Sequence, residues 1–541
     1  MKLLKKKKKI KTNFLLLILL ISLLFFFLLG SWSERYQYDK KINGFFSNSI
    51  EIIASNLRYS FSNKDKIIID IKFSDYEKLG MSRLKMIRNG KATKQMQIKV
   101  PAKISLNDQK LNGAQISIKG THSDHWEKAR KWSFKINLDS NDKIFGKKEF
   151  SLQHPATRGY IYEWLFMKFL KHENLISHKV SFLELIINGE NLGLYNFTEA
   201  HTKELLSTNN RVDGPIVFYD KQHWIKETSK INNLGLNDYR HSFYKASVNV
   251  VNKSEWLSDP QKKKQLNKAL YLLEAFKNKE LKAHEVFDVQ QIAKIFSIKA
   301  IFGSVEFDWK DIKFYYNPKT KKLEPIGREI HVDLGQINYE PKTWWLNIKP
   351  NNFSHSKDQV EFLKLFYDDL IFYEYYLKEL NRVSSVNYFD SVLKKNFKEF
   401  NSIKSIINSY FPHEKIFSKG KINAQIKFIR DTLNPVREIN AYFLEEKNNH
   451  IILNIENLQN LPIKIVGLEL TKSKLNIKKK NLIIKGFSLE NINQNIIKFK
   501  CDLNTKCFNP EDRNQIIIYS ILGQNSLKKE KILPWSNVKL N

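Results

Sequence analysis

Cysteine is almost absent from this chain of 541 residues, whose only two are Cys501 and Cys507. No spaced set of cysteines or further histidines accompanies His122 and His125, so the sequence lacks the ligands of a complete tetrahedral zinc site. The phosphate-loop pattern G-x-x-x-x-G-K-[ST] occurs nowhere in the chain, which excludes a Walker-type nucleotide site. Any nucleotide phosphate bound here must be contacted by other residues.

Acidic residues are also scarce, with 56 Asp and Glu against 90 Lys and Arg and a formal net charge of +34. Beyond the N-terminus the lysines are spread through every segment, alongside many Asn and Ile. That spread indicates a compositional bias rather than a nucleic-acid-binding patch, so nucleic acid is not an expected partner. Attraction to anionic lipid or acidic glycan stays open.

Long apolar runs are lacking except for one, at residues 14–29, which only Ser22 interrupts. The basic head at 1–12 precedes it and predicts a cytoplasmic N-terminus. A small-residue cleavage site is poorly represented after the run, which favours an uncleaved transmembrane signal anchor at 13–32 over a removed signal peptide. After a linker at 33–65, the rest of the chain is expected outside the cytoplasm, in the periplasm or at the cell surface.

Four acidic residues flank a predicted hairpin with strands at 312–316 and 323–326 and a turn at 317–320. They are Asp308 and Asp311 before the first strand, and Glu329 and Asp333 after the second. A hairpin can bring such carboxylates together from two chain segments, which is what a hard divalent cation needs. Mg²⁺ or Mn²⁺ bound there would neutralise charge on a transferred phosphate. The alternative is that these acids lie on a solvated loop.

A glycine- and hydroxyl-containing loop at 120–125 joins predicted strands at 113–120 and 131–138. Its backbone amides and hydroxyls are suited to contact phosphate, and Lys135 on the second strand would supply a positive charge. The alternative for Lys135 is a solvent-facing lysine on a strand. Glu163, on a predicted amphipathic helix at 156–172, could pair with Lys135.

A second hairpin is predicted around Asn188-Gly189, a strong turn signal. Its strands cover 180–187 and 192–198, and the returning strand ends at Glu199. These segments, in this order, resemble the CotH-type (spore coat protein H) family of atypical kinases. The resemblance is carried by residues 119–121, 131–135, 186–199, 308–316 and 323–326, with the pattern N-G-x-x-x-G-x-Y-x-x-x-E as its most specific part.

The resemblance implies an α+β chain with a two-lobed, atypical protein-kinase-like fold that uses ATP with Mg²⁺ or Mn²⁺. It implies these roles: Lys119, Gly120, Thr121 and Lys135 in cofactor binding, Glu199 at the nucleotide-binding hinge, Asp308 as the catalytic aspartate, and Glu329 or Asp333, with Asp311, as metal ligands. Asp311 stands where the family pattern leads us to expect Asn. The sequence favours Asp333 over Glu329 and leaves both open.

The expected organisation after the linker is a β-rich part at 66–250, a helical part at 251–446 and a small β domain at 447–541. Short strands separated by polar turns predict a β-sandwich in the last of these. Outside the cytoplasm, a structural disulfide between Cys501 and Cys507 is expected.

The function predicted from the sequence is a metal-dependent kinase, anchored in the membrane, that transfers the ATP γ-phosphate to a protein or glycan acceptor of the cell envelope. Two alternatives remain. The first is an inactive pseudokinase that serves as a binding or structural protein of the cell envelope. The second is a metal-dependent hydrolase, for which His331 is the candidate base.

Overall fold

The computed structural model describes residue 22 and the ranges 65–107, 109–139, 141–233, 242–304, 309–328, 330, 357–470, 473–476, 482–486, 495–500, 507–509 and 514–534. These residues form a mixed α/β structure. Nearly all of them lie in one compact unit, Lys64–Phe400 with Lys415–Asn541, and Asn401–Glu414 lies in a second unit. Within the described ranges no helix is long and apolar enough to cross a membrane. The predicted anchor apart from residue 22, and Asp308, Glu329, His331 and Asp333, lie outside them.

The N-terminal sheet has eight strands in the order β1-β7-β8-β6-β5-β4-β2-β3. They are β1 (Lys66–Asp70), β2 (Val100–Leu106), β3 (Gln109–Lys110), β4 (Ala114–Ile118), β5 (Phe134–Leu138), β6 (Glu149–Gln153), β7 (Val180–Ile187) and β8 (Glu190–Glu199). β1 pairs with β7 on one side and with β2 on the other. The sheet therefore closes on itself around an apolar core that includes Ile67, Ile136 and Phe197.

Between β7 and β8, Asn188 and Gly189 both have positive φ, 49° and 82°. Such values are those of the turn type that asparagine-glycine favours in hairpins. The hairpin predicted from that dipeptide is confirmed.

Helix α1 (Phe73–Asn89) packs against this sheet and was not predicted from the sequence. Leu79 and Met86 join the core. The ring of Tyr76 stacks on that of Trp132 at a centroid distance of 5.7 Å. Arg83 donates from Nε to the carbonyl oxygen of Trp126 at 2.6 Å. One face of α1 is thereby fastened to the sheet.

A second, four-stranded sheet has the order β10-β9-β11-β12. Its strands are β9 (Ile216–Asp220), β10 (Ser247–Val250), β11 (Lys313–Asn317) and β12 (Lys322–Ile326). The predicted hairpin is confirmed, since β11 and β12 pair antiparallel from Lys313 with Ile326 to Asn317 with Lys322. β9 and β10 come from the range 66–250, which was expected to be β-rich, and β11 and β12 come from the range 251–446, which was expected to be helical.

Thirteen further helices lie in the described ranges. They are α2 (Tyr162–His172), α3 (Lys203–Thr208), α4 (Gln222–Asn233), α5 (Ser242–Lys245), α6 (Lys253–Leu257), α7 (Pro260–Lys277), α8 (Ala283–Val286), α9 (Val289–Ile301), α10 (Lys357–Tyr367), α11 (Leu370–Val383), α12 (Tyr388–Lys395), α13 (Phe397–Tyr410) and α14 (Lys419–Leu433). The many aromatic side chains of α10 and α11 belong to the core. The ring centroid of Phe296 on α9 lies 5.2 Å from that of Phe366 and 5.3 Å from that of Phe372. The helix before the hairpin, α9, is almost entirely buried, as its composition predicted.

The C-terminal part contains eight strands in one hydrogen-bonded set, ordered β16-β15-β19-β20-β13-β14-β18 with β17 paired to β15. They are β13 (Ile439–Lys447), β14 (His450–Asn457), β15 (Ile463–Leu470), β16 (Ser473–Asn476), β17 (Leu482–Ile484), β18 (Asn495–Lys500), β19 (Ile516–Ile521) and β20 (Lys528–Pro534). The last strand pairs with β19 through its first half and with β13 through its second. It therefore joins two groups of strands around one apolar core.

One sequence prediction fails at the entry to this β region. The apolar spacing of residues 421–443 predicts a helix that is broken near Pro435, but α14 ends at Leu433 and β13 begins at Ile439. Proline lacks the amide hydrogen that would continue the helix, so the chain after it is free to pair as a strand. Cys507 is disulfide-bonded, as predicted, and Cys501 is the chain's only other cysteine.

The β region packs directly against the helices. Gly523 has φ +79°, and a β-carbon built on it would lie 2.8 Å from Cβ of Leu377 and 2.8 Å from the amide nitrogen of Lys378. Gln524 donates from Nε2 to the carbonyl oxygen of Leu433 at 2.7 Å. A glycine at 523 is what allows the turn after β19 to approach α11 so closely.

Candidate functional site

The loop after β4 has the conformation that its glycine predicted. Gly120 has φ +100°, and a β-carbon there would lie 2.2 Å from the ring of His125. His125 is hydrogen-bonded through Nδ1 to Ser133 Oγ at 2.9 Å. Thr121 accepts at its carbonyl oxygen from the amide of Ala92 at 2.9 Å. The loop is therefore held at both ends, and at position 120 there is room for glycine alone.

The loop lies beside a group of basic and aromatic residues that we call the Trp224 cluster. Its members are Lys91, His122, Lys221, Trp224, Lys310 and Asp311. Lys91 Nζ lies 4.1 Å and Lys310 Nζ 4.6 Å from the centroid of the Trp224 ring. The rings of His122 and Trp224 are 6.1 Å apart. The cluster joins the start of α4, the end of α1 and the segment before β11.

Burial first, and neighbouring lysines second, lower the pKa values of Lys91 and His122 in the cluster. Burial, then Lys310, then Lys221 lower the pKa of Lys91 to about 8. Burial and Lys221 also lower the pKa of His122, against an opposite effect of Asp311. Like charges disfavour the protonated forms, whereas an anion favours them. The arrangement is suited to a negatively charged ligand.

Asp311 is the one predicted metal ligand that the described ranges contain. Its Oδ1 accepts from Lys221 Nζ at 2.7 Å, and the Asp311 side chain is 41% exposed. A carboxylate of this kind fits Mg²⁺ or Mn²⁺ chemically, as a hard oxygen ligand. Among the described residues, no three acid, histidine or cysteine side chains form a group that could hold a metal ion. A complete ligand set would require Asp308, Glu329 or Asp333, which are not described.

Glu199 ends β8 in a buried ion pair. Its carboxylate contacts Lys147 Nζ, and the two side chains are 2% and 6% exposed. Its other oxygen accepts from the amide of Lys179 at 3.0 Å. Burial raises the pKa of Glu199, and Lys147 opposes that rise. The carboxylate predicted at the nucleotide-binding hinge is thus already paired with a lysine that the sequence did not single out.

Two histidines lie next to Glu199: His178, which is buried, and His201, which is partly buried. The rings of His178 and His201 are 4.7 Å apart at 76°. Burial, then Arg328, then Lys119 and Lys147 lower the pKa of His178 to about 3, while the adjacent Glu199 backbone favours the protonated form. The pKa of His201 is lowered well below its usual value, chiefly by burial. Lys119, predicted to contact the cofactor, is therefore near both the histidines and the loop.

Lys135 lies apart from these groups. Its Nζ is 3.5 Å from Glu149, and its side chain is 50% exposed. The pairing expected between Lys135 and Glu163 is wrong. Glu163 is buried, lies 3.7 Å from Arg158 Nε, and accepts from Asn196 and Thr198 at 3.2 Å each. The reason is strand order: Glu163 is bound by residues of β8, and β6 lies between β8 and β5, which carries Lys135.

Residues 116–327 match the family model described as CotH kinase protein. Over this range the chain is similar to the CotH kinase family. The match begins in β4 and ends just after β12, so it contains the glycine loop, Glu199 and the β11–β12 hairpin. It leaves α1, the helices after 327 and the C-terminal β region outside the matched range. A search of curated proteins found no match.

Within the matched range, sequence reasoning missed Lys147, Lys221, Trp224 and Lys310, and directly after it Arg328. None of them stands in a recognisable motif. Lys310 lies between Asp308, the predicted catalytic aspartate, and Asp311, a predicted metal ligand. That position was the one signal in the sequence that could have identified it. Lys91 lies outside the matched range and reaches Trp224 only because α1 folds back onto the sheet.

Proposed function

We propose that this protein is a metal-dependent kinase that transfers the γ-phosphate of ATP to a hydroxyl of a protein or glycan acceptor. Similarity to the CotH kinase family over 116–327 supports a kinase-like activity and ATP use. The proposal further places the enzyme outside the cytoplasm, held by an anchor at 13–32.

The observation that carries the proposal is the approach of the glycine loop to Asp311. His122 of that loop is near enough to Asp311 and Lys221 for both to change its pKa. Two segments far apart in sequence, one suited to contact phosphate and one acidic, thereby meet among lysines. Catalysis of phosphoryl transfer is mainly positioning and charge neutralisation, which such a site supplies.

Each group has a role in this proposal. Backbone amides around Gly120 and the ammonium groups of Lys91 and Lys310 contact the phosphates. Asp308 orients the acceptor hydroxyl and accepts its proton. Asp311, freed from Lys221, and Asp333 or Glu329 bind Mg²⁺ or Mn²⁺, which when bound neutralises charge on the transferred group.

The Lys221–Asp311 ion pair also favours a second candidate, a pseudokinase of the cell envelope that binds a partner without catalysis. In that case the ammonium group of Lys221 permanently occupies the position of a metal ion beside Asp311. The two candidates differ in whether phosphate is transferred.

Thermal unfolding of the full-length chain in mild detergent, with ATP and Mg²⁺ or Mn²⁺, tests the proposal. Ligand at about 100 times its dissociation constant adds roughly 2.7 kcal/mol to the free energy of unfolding. The metal-dependent shift should be lost in Asp333→Ala and reduced in Lys310→Ala. Lys529→Ala, a change at an exposed ion pair in the β region, is the matched control and should keep it. Lys135→Ala tests separately whether that exposed lysine contacts phosphate.

Transfer of label from γ-labelled ATP to a mixture of envelope proteins and glycans separates the candidates. A shift with transfer that requires Asp308 supports the kinase. A shift without transfer under any metal favours the pseudokinase. The absence of any nucleotide shift in folded protein overturns ATP binding altogether.

A further inference from the structure

Helix α1 has two apolar faces, and the residues that the structure describes cover only one of them. Leu79 and Met86 are fully buried against the sheet. On the opposite side, at spacings that the 3.6-residue period places together, are four large apolar side chains. They are Phe73, Met81, Leu84 and Ile87, with exposed fractions of 80%, 54%, 43% and 39%. We call this set the outer face of α1.

Contacts between α1 and the sheet fix the orientation of the outer face. The stacking of Tyr76 on Trp132 and the bond from Arg83 to Trp126 fix the rotation of the helix about its axis. The buried positions Leu79 and Met86 oppose any roll that would hide the outer face. The face is therefore presented to its surroundings by a rigid support.

Basic residues border the outer face. Lys72, Lys78, Lys85 and Arg88 are exposed on or beside α1, and Lys78 is paired with Asp75 at 2.7 Å, so the other three carry the net positive charge of the helix flanks. The loop that accepts from Arg83 contributes Lys128, which is exposed, and Arg130, whose side chain is 82% exposed and lies 3.4 Å from the carboxylate of Glu190. Glu77 is the exposed acid on the helix. The result is a strip of apolar side chains with positive charge on its flanks.

We propose that the outer face of α1 binds the surface of an anionic lipid bilayer, with the helix parallel to the membrane plane. Interfacial helices combine large apolar side chains on one face with Lys and Arg, and their binding depends on apolar burial and on attraction to anionic headgroups. The helix has 17 residues and a length of roughly 25 Å. Long basic side chains at its flanks can reach headgroups while the apolar tips enter the acyl boundary.

A second copy of the chain fits this surface less well. Two outer faces placed together would bring the basic flanks of one copy against those of the other, and like charges across an interface are unfavourable. An anionic bilayer complements both the apolar strip and its flanks. This inference does not depend on the kinase activity.

Depth measurements on the full-length chain mixed with vesicles test the inference. Met81→Cys supplies a thiol for an environment-sensitive dye, because Cys507 is disulfide-bonded. Val386→Cys, at an apolar position on another part of the surface that is more exposed than Met81 (67% against 54%), is the control. The vesicles are phosphatidylcholine alone or phosphatidylcholine with phosphatidylglycerol.

The expected result is a blue shift of the dye at 81, and quenching by spin-labelled lipid, with phosphatidylglycerol vesicles only. Both should be absent at 386 and lost when Phe73→Ser and Leu84→Ser are added. Lys85→Glu with Arg88→Glu should weaken the response. Circular dichroism checks that each variant is folded. No response at 81, an equal response at 386, or a blue shift that grows with protein concentration without lipid would each overturn the proposal, the last in favour of a second copy.

Discussion

Gly120 shows how one residue determines the shape of the loop at the candidate site. Replacement by alanine places a β-carbon 2.2 Å from the His125 ring at a backbone φ of +100°. The loop must move, at a cost of about 1–3 kcal/mol, and we expect Gly120→Ala to weaken the ATP response as well as the fold. Chemical denaturation and the nucleotide-dependent thermal shift measure the two effects.

Gly80 is the matched control for that change. It lies within α1, and no atom lies within 4 Å of an added β-carbon. Gly80→Ala should raise the free energy of unfolding by roughly 0.5–1 kcal/mol and leave the ATP response unchanged. Equal effects of the two substitutions would contradict the steric explanation for Gly120.

His178 makes stability depend on pH in a definite direction. Its pKa is about 3 in the folded chain, chiefly because of burial, against an ordinary value of 6.5. As the pH falls below about 6.5, the unfolded chain takes up the proton first, so the stability present at neutral pH is lost progressively until the folded pKa is reached. The slope from this one group is up to about 1.4 kcal/mol per pH unit.

Urea denaturation between pH 7 and pH 5 measures that slope, and His178→Phe should make it shallower. His201, whose pKa is lowered in the same direction, continues to contribute in the variant. An unchanged slope in His178→Phe would show that the ring is already charged or exposed in the folded chain.

At this scale the sequence could predict residues whose local chemistry is distinctive. Gly120 was recognisable because glycine between a strand and hydroxyl residues indicates a special backbone. Lys147 and Lys221 were not recognisable, because what distinguishes them from the chain's other lysines is a buried or nearby carboxylate brought from elsewhere in the sequence. Lys135 illustrates the opposite case, a lysine that the sequence singled out for phosphate binding and whose ion-pair partner in the structure is Glu149.

At the scale of elements, the hairpins and the periodic helices were predictable from local signals. β7 begins and ends where the alternation and the Asn188-Gly189 turn placed it. α1 was missed because apolar residues on both of its faces obscure the helical period. β13 was missed because the predicted helix was extended beyond Pro435 to residue 443. Pairing with β14 and β20 makes this segment a strand instead.

At the scale of the whole molecule, the contact at Gly523 predicts that the C-terminal β region and the helices unfold together. Gly523→Ala places a β-carbon 2.8 Å from Leu377 on α11 and should lower stability by about 1–3 kcal/mol. Gly420→Ala, where an added β-carbon meets no atom within 4 Å, should not. Thermal melting of the two variants measures the difference, and equal melting temperatures would show that the β region does not rely on this contact.

The path of β20 has a consequence for how the chain is made. β13 finds one of its partners only in the second half of β20, which follows it by some eighty residues, and β19 pairs with the first half of the same strand. During synthesis both strands therefore carry an unpaired edge until β20 emerges, and unpaired edges invite association with other chains. Chains that are interrupted before β20 should accumulate in aggregates rather than as soluble intermediates, and a factor that shields strand edges during synthesis would increase the yield of folded protein.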